Sequence, residues 1–234
     1  MRDKRRIITV ASNLILVCII GVLFAFTMLP YSVTVANTNE PYYHGDVTQS
    51  KIAVMINVYE GSEHVEKILK ILTRYGCSCT FFIGGVWAEK NHNLLRKMAT
   101  VAEIGNHGYL HLNHAKISHQ QNEEELLITH ALIKSITGID CTLFAPPSGA
   151  YSNNTLTVCN DNGYKIILWS KDTIDWRDKD YELITKRAIT DIQNGDLILM
   201  HPTEQTVKAL PKILEYYLDN GYIPTTVSEV LNLV

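Results

Sequence analysis

Short apolar runs alternate with amphipathic segments from residue 51 to the C-terminus, and this alternation limits the folds the chain can adopt. Residues 52–56 are apolar at every position, as in strands that are buried on both faces of a parallel sheet. Residues 62–75 carry apolar side chains at helical spacing, and Gly76 follows as a helix stop. About seven strands alternate with helices in this way. The pattern predicts an α/β fold whose parallel sheet is either open or closed into a barrel.

Polar residues follow the carboxyl ends of these predicted strands. In a barrel of alternating strands and helices, catalytic and binding groups collect at that edge of the sheet. We therefore expect a single site to contain the following positions: Asn57, the loop of His107 and His111, Ala145, Asp172 and His201. This expectation depends only on where the predicted strands end.

Three histidines are candidates for chemistry at that edge. His107 and His111 lie four residues apart in a glycine-containing loop, where two neutral imidazoles can hold one metal ion, although nine histidines make a chance pair easy. His201 ends the apolar strand of residues 197–200. It is either a general acid or a core histidine bonded to a backbone carbonyl. Asp175 is either the carboxylate that orients this imidazole or a turn residue.

A rigid loop follows another predicted strand. Pro146 and Pro147 fix two φ angles, and Gly149 permits a sharp turn directly after them. The loop either forms the wall of a groove or is a turn that contacts no ligand.

Residues 1–30 have the composition of a membrane anchor. The apolar run 7–29 contains about 23 residues, which is enough to cross a bilayer as a helix and more than a cleaved signal peptide usually has. Four basic residues precede this run: Arg2, Lys4, Arg5 and Arg6. They predict a single-pass protein of the cell membrane with a cytoplasmic N-terminus. Residues 31–50 are then a stalk, and residues 51–234 an extracytoplasmic domain.

Charge and cysteine content exclude two other classes of protein. The formal net charge is −3, and the sequence offers no basic groove for phosphates, so we expect no nucleic acid as a partner. Five cysteines, one of them in the predicted anchor, do not make a disulfide framework in a domain of this size. Cys77 and Cys79 are either small buried residues or a Cys-x-Cys metal site.

Four segments carry a family resemblance through their order and spacing: residues 103–111 (EIGNHGYLH), 144–149 (FAPPSG), 172–176 (DTIDW) and 199–202 (LMHP). With these segments, the sequence from residue 51 onward resembles the polysaccharide deacetylase family, carbohydrate esterase family 4, and in particular its membrane-anchored, sporulation-associated branch. The resemblance implies a distorted (β/α) barrel and a divalent metal ion, usually zinc. It also implies N-deacetylation of acetylated amino sugars in a cell-wall glycan such as peptidoglycan or a chitin-like polymer.

The resemblance also implies roles for individual residues. It makes His107 and His111 ligands of the metal. It makes His201 the acid that protonates the leaving amine, and Asp175 the residue that tethers His201. The positions expected to contact the glycan are Asn57, Pro146, Pro147 and Trp176.

Three positions depart from the family's pattern. Asn57 and Val58 stand where the family has two aspartates, a base and a metal ligand, and Ala145 stands where it has an arginine paired with the base. An asparagine amide is not basic near neutral pH, and a valine cannot bind zinc. The replacement of both members of the charge pair is less costly than the replacement of one, because it leaves no single charge unpaired in a dry pocket.

Glu60 is the candidate for the missing third ligand. Residues two apart on a strand share a face, so Glu60 lies on the side of Val58 if the first strand extends that far. If the strand ends earlier, Glu60 is a solvated loop residue. An alignment that starts from Gly61 instead places Tyr59 and Glu60 at the two aspartate positions.

Three functional hypotheses follow from these residues. The first is a deacetylase-like hydrolase with weak or altered activity on cell-wall glycan, because the histidine pair, the acid and the proline loop are retained. The second is a catalytically inactive glycan-binding pseudoenzyme at the cell surface, because the base and its arginine are replaced. The third is an unrelated wall-facing scaffold that uses the barrel only for packing.

Overall fold

The computed structural model describes residues 17–20 and 40–233. Most of the predicted membrane span, residues 7–29, lies outside the described residues, and within the described ones no helix is long and apolar enough to cross a bilayer. The strands are β1 (Lys51–Val58), β2 (Thr80–Ile83), β3 (Glu103–Asn106), β4 (Leu143–Phe144), β5 (Lys165–Ile166), β6 (Lys171–Asp172), β7 (Leu197–Met200) and β8 (Ile223–Thr225). The helices are α1 (Ser62–Tyr75), α2 (Gly85–Lys90), α3 (His92–Ala99), α4 (His119–Thr137), α5 (Asn153–Asp161), α6 (Tyr181–Ile189), α7 (Glu204–Asp219) and α8 (Val227–Val230).

The strands form one parallel sheet, which confirms the α/β prediction. The order is β5-β4-β3-β2-β1-β7-β6, and β8 pairs with the first residues of β1. The sheet curls into a half-barrel, so the barrel implied by the resemblance is incomplete. β1 lies at the centre, where Ile56 is in register with Phe81 of β2 and with Met200 of β7. The carboxyl ends of these three strands therefore lie side by side.

β1 separates two apolar cores, because successive side chains on a strand point to opposite faces. The residues that pack against the helices are Ile52, Val54, Ile56 and Val58. Ala53 and Met55 pack inside the half-barrel, in a smaller cluster that includes Phe82 and Leu199. By the same alternation, Asn57 faces the inside of the half-barrel at the carboxyl end of β1.

The segment just before β1 belongs to the folded unit. Tyr42 forms a bridge with Ile167, and His44 forms an antiparallel bridge with Asp196. The His44 Nε2 atom also lies 3.4 Å from the Asp196 carboxylate. Part of the predicted stalk of residues 31–50 is thus held against the sheet by backbone hydrogen bonds. Its first half lies outside the described residues.

Candidate active-site cleft

A cleft of about 640 Å³ opens at the carboxyl ends of the strands. It brings together residues that are distant in sequence: Asn57, His107, His111, Trp176 and His201. Ser148 is the lining residue from the proline loop, whereas Pro146 and Pro147 are buried beside it. The two prolines thus shape the loop, and Ser148 is the loop residue that is open to the cleft.

A buried carboxylate holds His201 at the cleft. The imidazole Nδ1 atom lies 2.8 Å from Asp175 Oδ1, and the backbone N–H of His201 donates to Asp175 Oδ2 over 2.6 Å. The hydroxyl of Thr206 donates to the same Oδ2 atom over 2.5 Å. Because Nδ1 is engaged by the carboxylate, Nε2 is the nitrogen left to serve the cleft. A positioned general acid needs this arrangement.

His107 is fixed in one tautomer. It follows β3, is 1% exposed, and its Nδ1 atom lies 2.7 Å from the carbonyl oxygen of Ala145. A carbonyl oxygen only accepts, so Nδ1 carries the proton and Nε2 presents a lone pair. The ring of His111 lies 5.1 Å from that of His107, between centroids. The histidine loop, residues 107–111, therefore brings two imidazoles together.

His111 has an unusual backbone and an unexpected neighbour. Its φ angle is 59°, in the left-handed region that residues with a side chain rarely adopt unless the surroundings enforce it. The Tyr59 ring lies with its centroid 4.5 Å from that of His111. Tyr59 thus covers one side of the imidazole. The sequence analysis placed Tyr59 in the site only through the alternative alignment from Gly61. The signal that could have identified it is an aromatic residue directly after the end of β1.

Buried polar groups behind the cleft support the histidine loop. Glu125 on α4 is 4% exposed and accepts hydrogen bonds from the backbone N–H groups of Tyr109 and Leu110, at 2.9 and 3.0 Å. The Asn106 side chain accepts another from the N–H of Gly108 at 2.9 Å. The sequence analysis missed both supports. For Glu125, the signal was a carboxylate on the face of a long helix that also carries Leu126, Ile133 and Ile136.

Burial makes the histidines of this region weak bases. Burial, and after it the nearby His111 ring, lowers the pKa of His107 to about 3. Burial also lowers the pKa of His111 and that of His114. These rings are neutral at neutral pH, the state in which an imidazole nitrogen accepts a hydrogen bond or binds a metal ion.

Acid is expected to destabilise the folded domain through these histidines. In the unfolded chain they bind protons below about pH 6.5, whereas folded His107 stays neutral down to about pH 3. The unfolded state then holds more protons, so the free energy of unfolding falls as the pH falls through this window. The slope is up to about 1.4 kcal/mol per pH unit for each such histidine.

Urea unfolding of the full chain in detergent, measured between about pH 7 and about pH 5, tests this expectation. The variant His107→Asn should show a slope that is shallower by close to one proton. Equal slopes in the variant and the natural protein would contradict the neutral, buried state of His107.

The base side of the cleft lacks charge. Asn57 is 4% exposed, and its Oδ1 atom has no hydrogen-bond partner among the described residues. Ala145 is fully buried, and its side chain carries no charge. Its backbone carbonyl oxygen accepts the hydrogen bond from His107 Nδ1. Val58, aligned by sequence with the metal-binding aspartate, faces the helix-side core instead of the cleft. A carboxylate base is therefore absent at the end of β1.

Glu60 does not complete a metal site with the two imidazoles. β1 ends at Val58, so Glu60 is not part of the strand and strand alternation does not point its side chain into the cleft. Glu60 is instead an exposed residue at the rim. Across residues 17–20 and 40–233, no group of three histidine, cysteine, aspartate or glutamate side chains is arranged to hold a metal ion. The residues present do not fit the three-ligand zinc site that the resemblance implied.

Two tryptophan side chains line the cleft, and one of them packs on the proline loop. Trp176 is 62% exposed, with the Arg177 guanidinium 6.0 Å from its ring centroid. Trp169 also lines the cleft. A Cβ atom at Gly149 would lie 2.8 Å from the Trp169 ring, so the glycine lets the loop pack closely on it. Exposed rings of this kind present flat apolar faces to a ligand.

Comparison with known proteins places this cleft in context. The sequence profile of the polysaccharide deacetylase family matches residues 44–167, more than half of the chain. The protein YlxY of Bacillus subtilis is 34% identical over 194 residues, which are 82% of this chain and 61% of YlxY. A peptidoglycan-N-acetylglucosamine deacetylase of Bacillus cereus is 29% identical over 185 residues, which are 76% of this chain and 67% of that protein.

A solved structure adds a second line of comparison. BA3943, a CE4 family pseudoenzyme from Bacillus anthracis, superposes with a TM-score of 0.81 at 30% identity, over 83% of this chain and 69% of that one. A mutant of BA3943 is described as having restored enzymatic activity. The family profile, the sequence relatives and this structural match agree. The chain belongs to the polysaccharide deacetylase family.

Proposed function

We propose that this protein binds amino-sugar chains of cell-wall glycan in the cleft, an acetylated polymer such as peptidoglycan, and removes N-acetyl groups far more slowly than its deacetylase relatives. The proposal rests on one observation. The cleft retains the histidine that can act as the general acid, but the position of the general base is uncharged. Asp175 holds His201 in place, whereas Asn57 offers an unpaired carboxamide where a carboxylate base is needed.

The size of the expected loss follows from the missing groups. A positioned general base contributes about 10²–10⁴-fold to a hydrolytic rate, and an asparagine cannot replace it. Deacetylases of this family are generally metal-dependent, and the cleft offers two imidazoles without a carboxylate ligand. The retained His201 can still protonate a leaving amine, which supports slow hydrolysis over none.

The relatives support both parts of the proposal. Several are peptidoglycan deacetylases, which favours a cell-wall glycan as the ligand. BA3943 is a pseudoenzyme of the same family at 30% identity, which favours altered chemistry in a retained cleft. Because this chain spans only 61% of YlxY, activity and substrate remain proposals drawn from the cleft itself.

Oligomer binding tests the glycan part of the proposal. The full chain in detergent would be titrated with partially N-acetylated glucosamine oligomers and followed by tryptophan fluorescence. Trp176→Ala is expected to weaken binding by about tenfold, because a stacked ring contributes on the order of 1 kcal/mol. The control Tyr216→Ala removes an exposed ring on α7 and should leave binding unchanged. No measurable binding by the natural protein would refute the proposed ligand.

The variant Asn57→Asp tests the account of the altered base side. We expect acetate release to rise by less than about tenfold, because a carboxylate here gains no arginine from Ala145 and no third metal ligand from Val58. Acetate released from acetylated oligomers, with and without added zinc, is the measurement. A gain of about 100-fold or more would show that the single carboxylate was the only missing part.

Membrane attachment is the remaining part of the proposal. The apolar run 7–29 behind a basic head supports a single-pass anchor with the domain outside, where the glycan is. The motif order supports a place in the membrane-anchored, sporulation-associated branch of the family. Retention of the full chain in the membrane fraction after an alkaline wash would support the anchor, and its release would oppose it.

A further inference from the structure

The lining of the cleft carries charge of one sign. Four carboxylates line it: Glu60, Glu63, Asp172 and Glu204. No lysine or arginine is among the described residues of this lining. Glu204 is paired with Lys208 at 2.6 Å, and Glu63 lies 3.4 Å from His64 Nε2, which leaves Glu60 and Asp172 as the lining carboxylates without an ion-pair partner among the described residues. A cleft lined in this way attracts cations and repels anions.

Two buried residues of the lining, Asn57 and His107, present hydrogen-bond acceptors. Asn57 Oδ1 has no partner among the described residues. His107 donates through Nδ1 to Ala145, so its Nε2 atom accepts. His201 likewise uses Nδ1 on Asp175, which leaves its Nε2 atom to face the cleft. A buried acceptor that lacks a donor is unfavourable, so these side chains favour a ligand rich in N–H groups.

We propose that this cleft binds the free, protonated amino group of a de-N-acetylated amino sugar within the glycan chain. The inference rests on the proposed glycan binding and specifies which sugar unit occupies the cleft. An ammonium group has three N–H donors and a positive charge, which match the acceptors Asn57 Oδ1 and His107 Nε2 and an acidic lining. An acetamide has one N–H, no charge, and a carbonyl oxygen that itself needs a donor.

This inference gives one explanation for the three departures from the family's pattern. The side chains of Val58 and Ala145 bring neither a metal ion nor an arginine into the cleft, so no fixed cation competes with the ammonium group. Asn57 keeps an acceptor at the end of β1 without a reactive base. The cleft then recognises the product of the reaction that peptidoglycan deacetylases catalyse.

A binding comparison between two matched ligands tests the inference. The full chain in detergent would be titrated by calorimetry with glucosamine oligomers of one length, fully N-acetylated or fully de-N-acetylated, at low salt and slightly acidic pH. We expect the free-amine oligomer to bind at least about tenfold more tightly, and chemical re-acetylation to remove the difference.

Variants at position 57 distinguish binding in the cleft from general attraction between an acidic protein and a polycation. Asn57→Leu removes the acceptor and should reduce the preference by about tenfold, whereas Asn57→Asp adds a charge and should increase it by about tenfold. Circular dichroism reports whether each variant is folded. Glu124→Gln removes an exposed carboxylate on α4, outside the cleft, and should leave the preference unchanged.

Each outcome decides the matter. A preference for the free amine that responds to Asn57 supports the inference. Equal binding of both oligomers, or tighter binding of the acetylated one, overturns the inference and leaves the proposed glycan binding intact. A preference that is the same in all the variants shows polycation attraction only and also overturns it. If neither oligomer binds, both the inference and the proposed function fall.

Discussion

Asp175→Ala is expected to lower the free energy of unfolding by about 3–5 kcal/mol, because each buried donor that is left without an acceptor costs about 1–3 kcal/mol. Asp175 is 3% exposed and accepts hydrogen bonds from the His201 ring, the His201 backbone N–H and the Thr206 hydroxyl. Alanine leaves these buried donors without an acceptor. Urea unfolding of the full chain in detergent at neutral pH measures the loss.

A matched aspartate keeps this test specific. Asp219 ends α7 and is exposed, so Asp219→Ala should change the free energy of unfolding by less than about 0.5 kcal/mol. Thr206→Val removes one of the three donors and should lie between the two, at about 1 kcal/mol. If Asp175→Ala is as mild as Asp219→Ala, the carboxylate does not hold His201 as described.

Tyr59→Asp is expected to raise the affinity for zinc by about 100-fold, which corresponds to about 2.7 kcal/mol of binding free energy. The Tyr59 ring lies against His111, and His111 lies against His107. A carboxylate at position 59 would add the oxygen ligand that two imidazoles lack, and three protein ligands are typical of catalytic zinc sites. Competition with a chromogenic chelator measures the affinity.

Two controls distinguish a new ligand from a side effect. Tyr59→Asn removes the ring without supplying a carboxylate, and should gain less than about tenfold. Val58→Asp places a carboxylate in the helix-side core, so it should cost several kcal/mol of stability and add no zinc affinity. Tight zinc binding by Val58→Asp, with none by Tyr59→Asp, would mean that the directions of these two side chains are reversed.

The parts of the fold that depend on buried apolar patterns were predictable from the sequence. β1 and β7 are continuous apolar runs, and both were expected as buried parallel strands. β6 was missed, because the two polar residues Lys171–Asp172 at a sheet edge carry no apolar pattern. Residues 85–99 show how apolar spacing can hide a break: they form two helices, α2 and α3, separated at Asn91, where φ is −131°.

The sequence predicts the cleft residues that lie in a motif at the end of a strand. It does not predict those whose place in the cleft depends on the direction of one side chain. His107, His111 and His201 line one cleft because β3 and β7 end at the same edge of the curled sheet, which the predicted strand ends can indicate. The position of Glu60 depended on two further residues of strand, and β1 stops at Val58. The packing of Tyr59 on His111 depends on loop conformation, including a left-handed φ at His111 that no local pattern announces.

The central claim is that a retained acid and an uncharged base side make a cleft that binds glycan and barely hydrolyses it. Acetate release tests this most directly. The full chain, saturated with acetylated oligomer and zinc, would be compared side by side with the Bacillus cereus peptidoglycan-N-acetylglucosamine deacetylase. We expect the rate for this protein to be lower by at least about 100-fold, as loss of a general base implies. A rate within about tenfold of that enzyme would contradict the account.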